Sequence, residues 1–394
     1  MTASESRYRA FLDSGSNEGL RRSLLAVAAR DARSIETGGR SYVNFSSNDY
    51  LSLRFNQALI GRAVEWAETY GVASGASRLV TGNLDLFDPI EAKLARLKQK
   101  PAALVLASGF QTNATVLQAL FDRSVLGAEP LVFADRLNHA SMHFGCQSAG
   151  VRQIRYRHCD SAHLGELLNQ YQADDRAKFI LTESVFSMDG DVAPLAEIAA
   201  HAREYGAFLI VDDAHATGIL GEGGSGLSGA ADIVIGTFSK ALGGFGGFVA
   251  CSETLRDYLV NRCGGIIYST ALPPPVLGAI DAALDLVPGM DEERVRVADL
   301  ATQFRAGARA MSLDTGASTS QIVPVILGSP ERASAMSEQL RQAGFWATCI
   351  RPPTVPTGTA RLRLAFTAAH QDSDIDRLLA ALSTEGEPRR ARAV

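Results

Sequence analysis

The chain carries only five cysteines in 394 residues, at positions 146, 159, 251, 263 and 349, and no two form a CxxC pair. That scatter offers neither a zinc framework nor a disulfide scaffold, so no metal is expected. No apolar run reaches the length a membrane-spanning helix needs. Basic stretches interleaved with aromatics are missing too, and a formal net charge of −5 argues against a nucleic-acid partner. The PRRARAV end reads as a frayed tail. The opening MTASESRYRAFLDSG lacks the basic-then-apolar order of a secretion signal. A soluble, reducing, cytoplasmic setting is the expectation. Internal repeats and low-complexity linkers are absent.

What is present is ordinary globular composition, 46% hydrophobic and 21% charged, with 36 glycines for tight turns. The length is large for one core. We expect an N-terminal segment over 1–55, a large α/β domain over 56–285 and a smaller α+β domain over 286–394. Strand-like apolar runs lie at 102–107, 130–135, 178–184, 207–213, 231–238 and 246–252. Continuous runs of this kind suit strands covered on both faces, hence a mainly parallel central sheet. Helical patterns alternate with them, as in LAEIAAHAREYG at 195–206, closed by Gly206. In the last quarter, helices at 332–344 and 372–383 flank the strand-like FWATCI and RLRLAFT.

Open α/β sheets bind ligands beyond the carboxyl ends of their strands. Five run ends here carry polar chemistry. They deliver Ser108-Gly109-Phe110; Asp135, Asn138 and His139; Glu183, Ser187 and Asp189; Asp212, Asp213 and His215; and Thr237, Ser239 and Lys240. Any one could be turn or capping chemistry. Five at one edge fit a cofactor better. A desolvated lysine such as Lys240 can form a Schiff base, the attachment pyridoxal phosphate requires. Asp212 suits the carboxylate that keeps a pyridine nitrogen protonated, and His139 can stack on the ring. The amides of Gly109 and Phe110, opening a helix, suit a phosphate, with hydroxyls from Thr237 and Ser239. His215 can reach a phenolic oxygen. A dinucleotide site is disfavoured, because GGFGG follows the lysine and GxGxxG spacing is absent.

The runs VDDAHATG, TFSKALGGFGG, TESVFSMDGD and SGFQTN, with NFSSNDYLSL at 44–53 and YSTALPP at 268–274, resemble those of the α-oxoamine synthases. These are pyridoxal-phosphate enzymes of the aspartate aminotransferase fold, fold type I. The resemblance spans about residues 20 to 385. Within the family, IRPPTVPTGTARLRLAFTAAHQDSDIDRLL is nearest the biotin-pathway branch. That implies a decarboxylating condensation of L-alanine with a pimeloyl thioester of coenzyme A or acyl carrier protein. Glycine with acetyl-CoA is the alternative on the same scaffold, and a noncatalytic scaffold subunit a more distant one. By resemblance, Arg351 holds the amino acid carboxylate and Arg21 lies near the acyl entrance. Asn48 and Glu183 line the site, and Ser187 bonds the cofactor or intermediate. A homodimer with shared sites is implied, in which Thr270 reaches the other subunit's phosphate. Arg78 stands where some members have histidine, and His143, His158, His163, His201 and His370 receive no catalytic role.

Overall fold

The computed structural model describes residues 3–17 and 23–383, in two compact units. The larger comprises 48–187 and 191–296; the smaller comprises the described residues of 1–47, together with 188–190 and 297–383.

The larger unit is built on a seven-stranded sheet. In chain order its strands are β1 (Ala102–Leu106), β2 (Leu131–Asp135), β3 (Gln153–Tyr156), β4 (Lys178–Glu183), β5 (Phe208–Asp212), β6 (Ile233–Thr237) and β7 (Gly247–Cys251). Their spatial order is β1-β7-β6-β5-β4-β2-β3. The pairs β3/β2, β2/β4, β4/β5 and β5/β6 are parallel, while β7 is antiparallel to both β6 and β1. Strands β2, β4 and β6 are buried at every position, as strands covered on both faces must be. The α/β class and mainly parallel sheet are as the sequence suggests. The reversal of β7 follows from its connection: residues 238–246 are too few for a parallel crossover, which takes roughly a dozen or more.

That short return carries Lys240. It closes through Gly243, at φ +64, where an added Cβ would lie 2.5 Å from the Leu53 Cβ. At Gly247 a Cβ would meet Thr112 Oγ1 at 2.4 Å. Glycines therefore follow the lysine because backbone and neighbours leave no room for side chains.

Helix α1 (Gly109–Leu120) begins at Ser108, whose side chain accepts from Gln111 N at 3.2 Å. Helix α2 (Ala140–Ser148) begins at His139. Helix α3 (Leu195–Glu204) stops two residues before the end of its sequence pattern. Gly206, at φ +60, supplies the left-handed turn after it. Leu117, Val132, Leu181, Ile210, Ile235 and Val249 belong to the core of this unit.

In the smaller unit, Ser34–Thr37 and Arg40–Asn44 form an antiparallel hairpin across Gly38 and Gly39, both at positive φ. Phe345–Trp346 pairs in parallel with Arg40–Asn44. A second sheet joins Ile322–Gly328, Ala360–Ala365 and Thr348–Ile350, all antiparallel. The division is therefore not the sequential one expected. Residues 1–47 are not a separate segment, because Arg40–Asn44 is completed by a strand from the C-terminal region. The stretch 188–190 also belongs here: Arg361 bonds Met188 O and Asp189, and Ser320 bonds Gly190 O. Phe45 packs with Phe304, Leu340, Phe345 and Phe366 in the core, and His370 stacks on Phe45 at 4.2 Å.

Candidate active site

The parallel strands of the larger unit end at one edge, and a cavity of about 220 Å³ opens there. Its lining includes Ser108, Gly109 and Phe110 after β1, His139 after β2 and Glu183 from β4. Asp212 and His215 come from the end of β5, and Thr237, Ser239 and Lys240 from β6 and its return. Ten of the sequence-derived candidates thus meet in one cavity.

Asp212 is buried, and two donors hold its carboxylate. Asn113 Nδ2 donates to Oδ2 at 2.6 Å, and Ala214 N donates to Oδ1 at 3.0 Å. A carboxylate held by two donors is fixed in orientation and can face a protonated nitrogen. Glu183 is buried beside it. Burial, with the Asp212 charge, pushes its pKa well above the usual carboxylate range, although Lys240 pulls the other way.

His139 is exposed at the cavity, with Nδ1 2.7 Å from Ser141 Oγ. Its contact is to Ser141 in the first turn of α2, and the residue lines the cavity. His215 is buried, and its Nδ1 lies 2.7 Å from the Tyr50 hydroxyl. Tyr50 donates in turn to Asn48 Oδ1 at 3.2 Å. Thr237 Oγ1 donates to Gly246 O at 2.6 Å and lies 2.8 Å from Ser239 Oγ. These hydroxyls stand beside the N-terminus of α1, where unpaired amides and the helix dipole favour an anion.

Other candidates fall elsewhere. Ser187 is half-buried and outside the cavity lining. Thr270 is exposed and forms an isolated bridge with Ser77. Arg351 belongs to the smaller unit, and Arg21 lies outside the described residues. Asp213 is structural: it takes Lys98 at 2.5 Å, with both side chains fully buried. Asp189 is bound by Arg361. Arg78 braces Glu91 and lies over Phe87 at 4.2 Å. His158 does meet a strand end, bridging Asp135 at 3.0 Å and Asp191 at 2.8 Å. Asp135, His158 and Cys159 bring donor atoms within 4.8 Å of one another, but carboxylates occupy both imidazole nitrogens.

Sequence reasoning missed Asn113, Ser141 and Tyr50 as parts of the site. All three lay in or beside stretches already singled out, SGFQTN, LNHAS and NDYLSL. Asn113 stands one turn into α1, which points its amide back at the strand ends.

Comparison with known proteins agrees with this geometry. The class I and II aminotransferase model matches residues 40–382. The 8-amino-7-oxononanoate synthase of Gluconacetobacter diazotrophicus is 53% identical over 387 residues, covering 97% of each chain. The chain belongs to the 8-amino-7-oxononanoate synthase family. As a member it is a pyridoxal-phosphate-dependent acyltransferase of fold type I. A serine palmitoyltransferase solved with pyridoxal phosphate superposes with a TM-score of 0.87 at 27% identity, covering 95% of each chain. The solved 8-amino-7-oxononanoate synthase of Francisella tularensis gives 0.74 at 27% identity, covering 86% of this chain and 96% of its own. Among the described residues, no helix is long and apolar enough to cross a membrane.

The cavity of this family member fits that cofactor. Its donor set pairs a lysine amine and a buried carboxylate with hydroxyls at a helix N-terminus. At Gly109 even a Cβ would lie 3.2 Å from the Thr237 Cβ, so glycine keeps the anion cradle open. Asn113 Oδ1 is buried with no hydrogen-bond partner among the described residues.

Proposed function

We propose that this enzyme condenses L-alanine with a pimeloyl thioester to give 8-amino-7-oxononanoate, carbon dioxide and the free thiol, a step of biotin biosynthesis. The observation that carries the reading is Lys240 sharing one cavity with buried Asp212, His139 and the N-terminus of α1. The 53% identity to the 8-amino-7-oxononanoate synthase of Gluconacetobacter diazotrophicus supports the choice of reaction.

Pyridoxal phosphate, when bound, supplies an electron sink for the negative charge that develops at the alanine Cα. Lys240 would hold it through its amine, and the same amine would take the proton from Cα. Asp212, fixed by Asn113 and Ala214 N, would hold the ring nitrogen in its protonated form, and His139 would pack against the ring. His215, oriented by Tyr50, donates to the phenolic oxygen. The phosphate is held by the Ser108, Gly109 and Phe110 segment with Thr237 and Ser239, and Ser187 adds a hydroxyl contact. Arg351 binds the alanine carboxylate, Arg21 guides the acyl chain, and Asn48 supports the site through Tyr50. A cytoplasmic homodimer is part of this reading, with Thr270 of each chain reaching the phosphate site of the other. The acyl donor is a thioester of coenzyme A or of acyl carrier protein.

The test is a substrate panel on cofactor-loaded protein, with products read by mass spectrometry. Alanine plus pimeloyl-CoA should give 8-amino-7-oxononanoate and one equivalent of free thiol. Turnover confined to glycine plus acetyl-CoA would move the enzyme to the other branch of the scaffold.

A further inference from the structure

A second cluster of chemically active side chains lies in the larger unit, and none of its members lines the lysine cavity. Asp135 closes β2, His158 and Cys159 follow β3, and Asp191 follows the turn after β4. Strands β4, β2 and β3 are neighbours in that order, which brings Asp135 and Asp191, 23 and 33 positions from His158, onto one imidazole. Cysteine spacing gives no hint of this, because the fold and not the local sequence assembles the group.

The imidazole is fixed from three sides. Asp135 Oδ1 lies 3.0 Å from Nδ1, Asp191 Oδ2 lies 2.8 Å from Nε2, and the Phe186 ring stands edge-on at 4.4 Å. Asp135 Oδ2 also accepts from Cys159 N at 2.8 Å. Cys159 Sγ then lies 3.7 Å from both His158 Nε2 and Asp191 Oδ2. A thiol, an imidazole and a carboxylate thus form one small triangle. Zinc takes these three ligand types, at about 2.3 Å from sulfur and about 2.0–2.2 Å from nitrogen and oxygen. Tetrahedral angles then put sulfur about 3.6 Å from either other ligand, and nitrogen about 3.4 Å from oxygen. Two sides of the triangle already match. The third must open by roughly 0.6 Å as a cation replaces the proton between Nε2 and Asp191. Asp191 is itself buried, and its Oδ1 has no hydrogen-bond partner among the described residues. A buried acceptor without a donor is rare, and a bound cation is one of the few groups that satisfies it.

We propose that Cys159, His158 and Asp191 bind a zinc ion, with Asp135 orienting the histidine through Nδ1. A carboxylate on the far nitrogen is the usual outer partner of a zinc-bound histidine. Thiolate and imidazole select zinc over magnesium or calcium, which take oxygen ligands. The cation displaces two protons, the one between Nε2 and Asp191 and the one on the Cys159 thiol. The site is structural. It pins the turn 186–191, closed by Phe186 N donating to Asp191 O at 3.1 Å, to the ends of β2 and β3.

The holoenzyme, stripped with a chelator and titrated with zinc against a chromophoric chelator, should take up one equivalent per chain. C159S and D191N should each lower that affinity by at least about tenfold. D135N, which alters the outer partner, should lower it by about 10- to 100-fold. C349S, which alters the other half-buried cysteine, should leave it unchanged. Cobalt in place of zinc should give the parent the visible bands of a tetrahedral thiolate site, and C159S should lack them. A zinc-dependent rise in Tm should follow the same pattern. The Tm of each variant in chelator reports whether it folds, and D191N probes the site without touching the thiol. Parental zinc affinity in folded C159S or folded D191N overturns the proposal, as does a parent that takes up no zinc at micromolar concentrations. Cobalt bands lost in C349S and kept in C159S would move the thiolate to Cys349 and overturn it as well.

Discussion

Asn113 Nδ2 donates to Asp212 Oδ2 at 2.6 Å and to Ser141 Oγ at 3.0 Å. Ser141 Oγ lies 2.7 Å from His139 Nδ1. One buried amide thus ties the carboxylate at the end of β5 to the histidine at the head of α2. A hydrogen bond to a charged group contributes about 1.5–3 kcal/mol. N113L should therefore lower cofactor affinity and kcat by roughly tenfold or more. S141A leaves the Asp212 bond intact and should cost less. Cofactor release on dialysis, followed by absorbance, checks the order; equal losses would show that Asp212 does not depend on Asn113.

Among the described residues, Lys240 is the one amine in the lining of this cavity. K240A should abolish turnover, by more than about a thousandfold, because anchoring and proton transfer fail together. Mass spectrometry after borohydride reduction provides the check. The parent should carry the cofactor's added mass on the peptide containing Lys240, and K240A should carry none. Labelling of a different lysine would dismiss the assignment.

Lys98 and Asp213 make a stability test that is separate from chemistry. Their side chains are fully buried at 2.5 Å, and Asp213 also accepts from Ser228 Oγ at 2.9 Å. Removing one partner leaves a buried charge, at a cost of about 3–5 kcal/mol. K98M should lower Tm by roughly 10 °C, as read by calorimetry on the holoenzyme. An unchanged Tm would mean that water or a neighbour replaces the lysine.

How far the sequence foretold this depends on the kind of constraint. The buried runs of β2, β4 and β6 were legible because strands covered on both faces are mainly apolar. Lys240, Asp212 and His139 stood out because polar groups at the ends of such runs need a reason. Asn113 and Ser141 did not, since a polar residue in the first turn of a helix reads as capping or solvation until the opposing strand is in place. Asp213 looked like a site residue beside Asp212. Only the fold reveals Lys98, 115 positions away in sequence, turning it into a buried brace. The grouping of residues 1–47 with the C-terminal region was equally hidden, because strand pairing between distant segments leaves no local periodicity.

His158 gives a pH signature. Burial disfavours its charged ring, but the hydrogen bonds to Asp135 and Asp191 outweigh that and raise the pKa to about 12. An unfolded histidine titrates near 6.5. Between those values the native state holds a proton that the unfolded chain has lost. The stabilisation is therefore complete below pH ~6.5 and declines as pH rises through the window. Unfolding free energy from urea titrations should fall between about pH 7 and about pH 9, and more steeply in the parent than in H158N. Parallel pH profiles for the two proteins would rule out a charged His158.

The carboxylate anchor is the assignment with the sharpest kinetic test. Arg351 lines the cavity of the smaller unit, while Arg363 is buried in the strand Ala360–Ala365 and its strand neighbour Arg361 is bonded to Asp189. A paired guanidinium–carboxylate contact of about 1.5–3 kcal/mol corresponds to roughly 10- to 150-fold in binding. If Arg351 holds alanine, R351A should raise the alanine KM by an amount in that range. R351K should recover part of it, since a lysine restores the charge without the planar fork. R363A is the comparison that decides. A large rise in alanine KM for R363A, with R351A near the parent value, would transfer the role to Arg363; the opposite pattern would fix it on Arg351.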